Sequence, residues 1–169
     1  MVDRKKICLD FYSLCRNGNS GVKEGLNQFF YSELLRKVWS SFEAFLALNF
    51  PAKKPYKMRE NYSKEYESKF FSWSFSDDYK VSLRSLITLS PVKDESPIYS
   101  SEPYFLNKTS SLCELLNYLY RIRSNLDHGA KNLLDNTSLG QRDRDLVEHG
   151  FKVTFNILEK TLLYKGWIS

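Results

Sequence analysis

The chain has 169 residues, enough for one domain with a core that needs neither disulfides nor a structural metal. Hydrophobic residues make up 42% and charged residues 27%, a balance that excludes a disordered chain. The formal net charge of +5 is compatible with a polyanionic partner but does not require one.

The opening stretch, "MVDRKKICLDFYSLC", begins with charge, and Asp10 and Ser13 interrupt its apolar residues, so it does not read as a signal peptide. Apolar residues at 7, 8, 11, 14 and 15 have helical spacing, and "RNGNSG" is expected to break that helix. From Val22 to about Asn49 the period is again helical, and Pro51 lies just beyond. The basic stretch "AKKPYKMREN" reads as a loop leading into a polar helix, "ENYSKEYESKFFSW". "DDYKVSLRSLITL" fits either a short helix with an Asp cap or a strand. "SPVKDESPIYSSEPYFLNKTS" holds three of the five prolines and reads as a long loop.

The last third is more regular. "SSLCELLNYLYRIRSNLDHG" opens with a capping box, Ser111 and Glu114, and carries an apolar stripe of Leu112, Leu115, Leu116, Leu119, Ile122 and Leu126. Gly129 is expected to end it. "GQRDRDLVEHGFKVTFNILEKTLLYKG" reads as a second amphipathic helix stopped at Gly166. The expected fold is all-α, a bundle with an irregular centre. No apolar run approaches the ~20 residues of a membrane span. The odd cysteine count (Cys8, Cys15, Cys113) and the absence of a CxxC pair argue against a disulfide framework or a cysteine zinc site, as in a reduced, cytoplasmic chain.

Arg123 and His128 are the chemistry-bearing residues. Arg123 follows Leu119 by four residues and Leu116 by seven, so it projects beside the buried stripe. An arginine there is paired, with Asp127 at i+4 or with Glu43 from the long helix, or it faces a groove and binds an anion. On an unbroken helix His128 lies about 140° around from it, so the two converge only where the helix ends or where a second chain completes the site. A guanidinium holds a phosphate bidentately and an imidazole moves a proton near neutrality. RNA supplies its own 2′-hydroxyl nucleophile, so no metal is required. The spacing alone reads more simply as an ordinary polar helix end.

The surrounding residues resemble the HEPN superfamily, whose motif is R-x4-6-H. "LYRIRSNLDHGAK" is similar to the branch that reads Leu-Tyr-x-(Ile/Val)-Arg-x-Asn-Leu-x-His-Gly-x-Lys, through Leu119, Tyr120, Ile122, Arg123, Asn125, Leu126, His128, Gly129 and Lys131. "RDRDLVEHGFKVTFNILEKTLL" resembles the helix that follows the motif, and "LLRKVWSSFEAFLALNF" the long helix before it. Ser124 stands where that branch often has Asn, and Asp127 where it often has an apolar residue. The likeness covers 110–165 well and 22–50 loosely.

The resemblance implies one HEPN-like domain over 1–169: a long core helix at 22–50, a variable central segment at 51–109 and a motif-bearing helix pair at 110–165. It implies a homodimer with a composite cleft and metal-independent RNA cleavage that leaves a 2′,3′-cyclic phosphate. Toxin or anti-phage roles are common in the family, while some members only bind or dimerise. Carried over, Arg123 grips the scissile phosphate, His128 acts as acid/base or phosphate contact, and Asn125 orients either. Lys131, Arg121 and Ser124 are candidate substrate contacts, with Glu43 and Asp127 the candidate partners of Arg123. Arg121 also has R-x6-H spacing to His128 but matches a variable position. No cofactor or metal is implied; the partners are RNA, a second copy, and an antitoxin or other defence protein. No membrane is involved.

Other residues carry blander expectations. His149 reads as a solvated surface histidine. Lys53, Lys54, Lys57 and Arg59, interleaved with Tyr56 and Tyr62, read as a solvated loop or, alternatively, as an RNA-tracking patch. Phe70, Phe71, Trp73 and Phe75 read as core or dimer interface, and the three cysteines as packing residues.

Overall fold

The computed structural model describes residues 3–21, 28–92, 103–127 and 138–169. These form six helices: α1 (Arg4–Gly21), α2 (Gln28–Asn49), α3 (Pro55–Ser72), α4 (Asp77–Leu89), α5 (Leu112–Asp127) and α6 (Ser138–Tyr164). Among the described residues the only β-pairing is one isolated bridge, Val92 with Tyr104, so the fold is all-α. No helix among them is long and apolar enough to cross a membrane.

Two helices form the spine. α2 packs on α1, α3, α5 and α6, while α6 also packs on α4. α2 buries Leu34, Leu35, Val38, Trp39, Phe42, Phe45 and Leu46, the three- and four-residue steps that keep one helical face inward. α6 answers with Leu146, Val147, Phe151, Ile157 and Leu158, and ends where Gly166 takes a φ of +65°.

The expected break after Cys15 does not occur: α1 continues through "RNGNSG" to Gly21. Gly18 serves a close approach instead. A Cβ there would stand 2.8 Å from Leu34 Cδ2 and 3.2 Å from Phe30 Cζ, so the glycine lets α1 lie against α2. The buried face of α1 is Cys8, Tyr12 and Cys15, while Leu14 is exposed. Tyr12 donates to Glu159 at 2.8 Å and stacks on Phe155, tying α1 to α6.

The central segment is more regular than its composition suggests. α3 starts at Pro55, whose fixed φ suits a first turn, so most of the expected basic loop is helix. Lys53, Lys54 and Lys57 are exposed, but Arg59, Tyr62, Ser63, Tyr66 and Phe70 are buried along one face. That stripe is made of Tyr and Arg rather than aliphatic residues, which hides it from a hydropathy reading. Tyr62 stacks on Tyr66 and meets Phe42 and Phe50 edge-on. Thr161 gives its hydroxyl hydrogen to the Ile157 carbonyl (2.7 Å), so Tyr62 is the donor in its 2.7 Å bond to Thr161.

Of the two readings of "DDYKVSLRSLITL", helix is right. Ser76 is the N-cap, its Oγ accepting from the Tyr79 amide, and Asp77 and Asp78 lie in the first turn. The two ends of the following connection are held down. Val92 and Tyr104 exchange backbone hydrogen bonds at 2.9 and 2.8 Å, and Leu106 is buried. Arg142 donates to the carbonyls of Leu89 and Pro91. The capping box of α5 forms as expected: the Ser111 amide donates to Glu114 at 2.6 Å and the Glu114 amide to Ser111 Oγ at 3.2 Å. Glu67 of α3 accepts from the Leu112 amide at 3.0 Å and so anchors the same helix end.

Candidate functional site

Polar residues of α2 and α5 face each other in reverse order. Asp127 of α5 spans two arginines from different helices. One carboxylate oxygen lies 3.0 Å from Arg36 Nε of α2, and the other 3.0 Å from Arg123 Nη1 of α5. Two turns further along α2, Glu43 lies in the fields of Arg123 and of Arg59 from α3. Arg59 Nε donates to Asn117 Oδ1 at 2.9 Å, and its guanidinium lies 4.1 Å over the ring of Tyr120. The same ring meets Trp39 of α2 in an edge-to-face contact with centroids 5.8 Å apart. The result is a ladder of alternating sign: Arg36, Asp127, Arg123, Glu43, Arg59.

Burial increases along the ladder from the α5 end. The side chains of Arg36, Asp127 and Arg123 are 38%, 30% and 25% exposed, whereas Arg59 as a residue is 6% exposed. Desolvation lowers the pKa of Arg59, opposed by Tyr120 and Glu43. Desolvation also raises the pKa of Glu43, in spite of Arg123 and Arg59. Burial would lower Arg36 too, but its hydrogen bonds to Asp127 and Glu33 outweigh that and the net shift is upward. Arg36 also donates to the Leu126 carbonyl at 3.4 Å, near the end of α5. The Nε of Arg123 is buried with no hydrogen-bond partner among the described residues. A buried donor left open in this way calls for an acceptor.

The expected site residues fall into three groups. Of the two candidate partners of Arg123, Asp127 is in direct contact, while Glu43 feels the Arg123 charge without a contact within ion-pair distance among the described residues. Asn125 is fully buried, with the core stripe of α5, and Ser124 is half-buried. Arg121 lies about 200° around the helix from Arg123 and sits 5.6 Å over the Tyr104 ring, where desolvation lowers its pKa. His128, Gly129 and Lys131 lie outside the described residues.

Two residues of the ladder, Arg36 and Arg59, lie outside the expected R-x4-6-H site. Arg36 sits seven positions before Glu43 on the same face of α2, a spacing that could have identified it. Arg59 is buried, against both the solvated-loop and the RNA-tracking readings of its basic stretch, and the Tyr-rich stripe of α3 accounts for that burial. His149 is half-buried rather than solvated, 3.3 Å from Ser82 Oγ between α6 and α4, and burial lowers its pKa. It borders a shallow cleft with Arg84, Thr88 and Asp145, on helices that contribute nothing to the ladder. Cys8 and Cys15 are buried, Cys8 against Ser41 and Cys15 toward the Leu34 carbonyl. Among the described residues no three His, Cys, Asp or Glu side chains gather as metal ligands would. The chain matches no protein-family model, no curated protein and no solved structure.

Proposed function

We propose that this chain is a HEPN-type endoribonuclease that grips an RNA phosphate with Arg123 and cleaves without a metal. The observation that carries the reading is the guanidinium of Arg123. It is half-buried on the face of α5 turned to α2, five residues before His128 in sequence, and its buried Nε–H has no partner among the described residues. A guanidinium in that setting binds an oxyanion through paired N–H donors at low desolvation cost. The likeness of "LYRIRSNLDHGAK" to the R-x4-6-H signature supplies the second half of the kit, His128.

In the proposed reaction the 2′-oxygen of RNA attacks the adjacent phosphorus and gives up its proton to a base. The bond from phosphorus to the 5′-oxygen breaks, and that oxygen takes a proton. The products are a 2′,3′-cyclic phosphate and a 5′-hydroxyl. Arg123 would neutralise the charge on the pentacovalent phosphorus, and His128 would carry one of the two proton transfers. A homodimer would bring two such clefts together, in the cytoplasm, under the control of an antitoxin or other defence protein.

The test is cleavage of a labelled single-stranded RNA in excess chelator by wild type and His128→Ala. Wild type is expected to yield cyclic-phosphate ends and the variant to yield none. Equal cutting by both would remove His128 from the reaction. A second reading, an inactive HEPN module that binds RNA, is favoured by one contact: Arg123 is already engaged by Asp127. It predicts binding without product.

A further inference from the structure

We propose that Arg36 is a second phosphate-binding arginine of this cleft and that Asp127 is a built-in competitor for the same position. The inference rests on the RNA-cleft reading and adds to it a residue from another helix and a device that tempers affinity.

Three observations carry it. First, one carboxylate is held at both oxygens, 3.0 Å from Arg36 on α2 and 3.0 Å from Arg123 on α5. Two guanidiniums that converge on one oxyanion from separate helices form a cradle that suits a phosphate as well as a carboxylate, because both present paired acceptor oxygens to the guanidinium fork. Second, the cradle does not depend on its present occupant. Arg36 is also held by Glu33 at 2.6 Å and by the Leu126 carbonyl at 3.4 Å, and Arg123 projects from the body of α5. Third, Asp127 lies at the protein surface, so its short side chain can turn to solvent while both arginines stay.

A purely structural clip between α2 and α5 uses the same contacts but responds differently to substitution. If Asp127 only ties the helices, its loss loosens the fold and leaves anion affinity alone. If it occupies the phosphate position, its loss raises affinity. A partly exposed ion pair is worth up to about 1 kcal/mol, which as competition corresponds to about a fivefold change in affinity.

The experiment measures fluorescence polarisation of a labelled 2′-O-methyl RNA, which has no free 2′-hydroxyl and is not cut. The proteins are wild type, Asp127→Asn, Arg36→Ala and the double variant, each across a salt series. Asp127→Asn is expected to tighten binding about fivefold. Arg36→Ala is expected to weaken binding, to cancel the gain in the double variant, and to reduce the slope of log affinity on log salt by about 0.7, the loss of one phosphate contact on a single strand. A displaced helix end would lower affinity without that slope change. Unchanged affinity in Asp127→Asn, or an unchanged slope in Arg36→Ala, overturns the proposal. If wild type binds the analogue and Asp127→Asn binds no tighter, the competitor falls while the RNA cleft stands. If none of the four proteins binds, both fall.

Discussion

Arg59 and Arg123 serve the same ladder, yet their removal should cost very different amounts. Arg59→Ala takes a buried guanidinium away from three groups: Asn117 Oδ1 at 2.9 Å, the Tyr120 ring at 4.1 Å, and the desolvated Glu43. An amide oxygen and a carboxylate then lose their donor and their nearby charge in a buried setting. Breaking such an arrangement from one side costs about 3 kcal/mol. Arg123→Ala leaves Asp127 still bonded to Arg36 at 3.0 Å, so no carboxylate is stranded, and the lost pair was partly exposed. That cost is about 1 kcal/mol. A chain of this size loses about 2–4 °C of Tm per kcal/mol. Arg59→Ala should therefore melt about 6–12 °C below wild type and Arg123→Ala about 2–4 °C below, read by circular dichroism with urea midpoints at unchanged m as a check. If Arg123→Ala melts as low as Arg59→Ala, Arg123 is a buttress of the fold, and the assignment of a binding role to it is wrong.

Glu43 has a pKa raised by burial, so the folded chain holds its proton more tightly than the unfolded chain does. Stability from this residue is therefore full below its unfolded value and declines as pH rises through the folded one. Glu43→Gln should flatten that decline in urea titrations run from acid toward neutral pH, and a decline identical to wild type would refute the assignment. Tyr62→Phe removes the donor to Thr161 and should cost about 1 kcal/mol, or about 2–4 °C; an unchanged melting curve would count against the hydrogen bond. Burial pushes the Cys15 thiol up to about 12 and the Cys8 thiol upward as well, while Cys113 is only half-buried. Iodoacetamide on the native protein should mark Cys113 alone, which peptide mass mapping would show or contradict.

The helices with aliphatic stripes were legible in the sequence. Leu112 to Leu126 announced α5 and its capping box, and the long run through Trp39 and Phe42 announced α2. Elements with unusual buried faces were not. α3 buries Arg59, Tyr62, Ser63 and Tyr66, polar or amphipathic residues that a hydropathy pattern does not mark as core, so its start reads as a basic loop. In α1, Gly18 marks a tight helix contact and not a helix end, because the residue it accommodates, Leu34, lies on another helix. The site followed the same division. Arg123 stands out because it adjoins an apolar stripe, and Asp127 at i+4 is one of the partners the spacing offers it. Arg36 and Arg59 reach the ladder only through tertiary packing, which local spacing does not encode.

The most direct measurement is single-turnover cleavage of a labelled RNA, in chelator, by wild type and Arg123→Ala at a temperature where both are folded. With a guanidinium on the scissile phosphate, its loss should slow the chemical step by about 10²–10³-fold at saturating protein. Cleavage by Arg123→Ala at the wild-type rate would contradict the account.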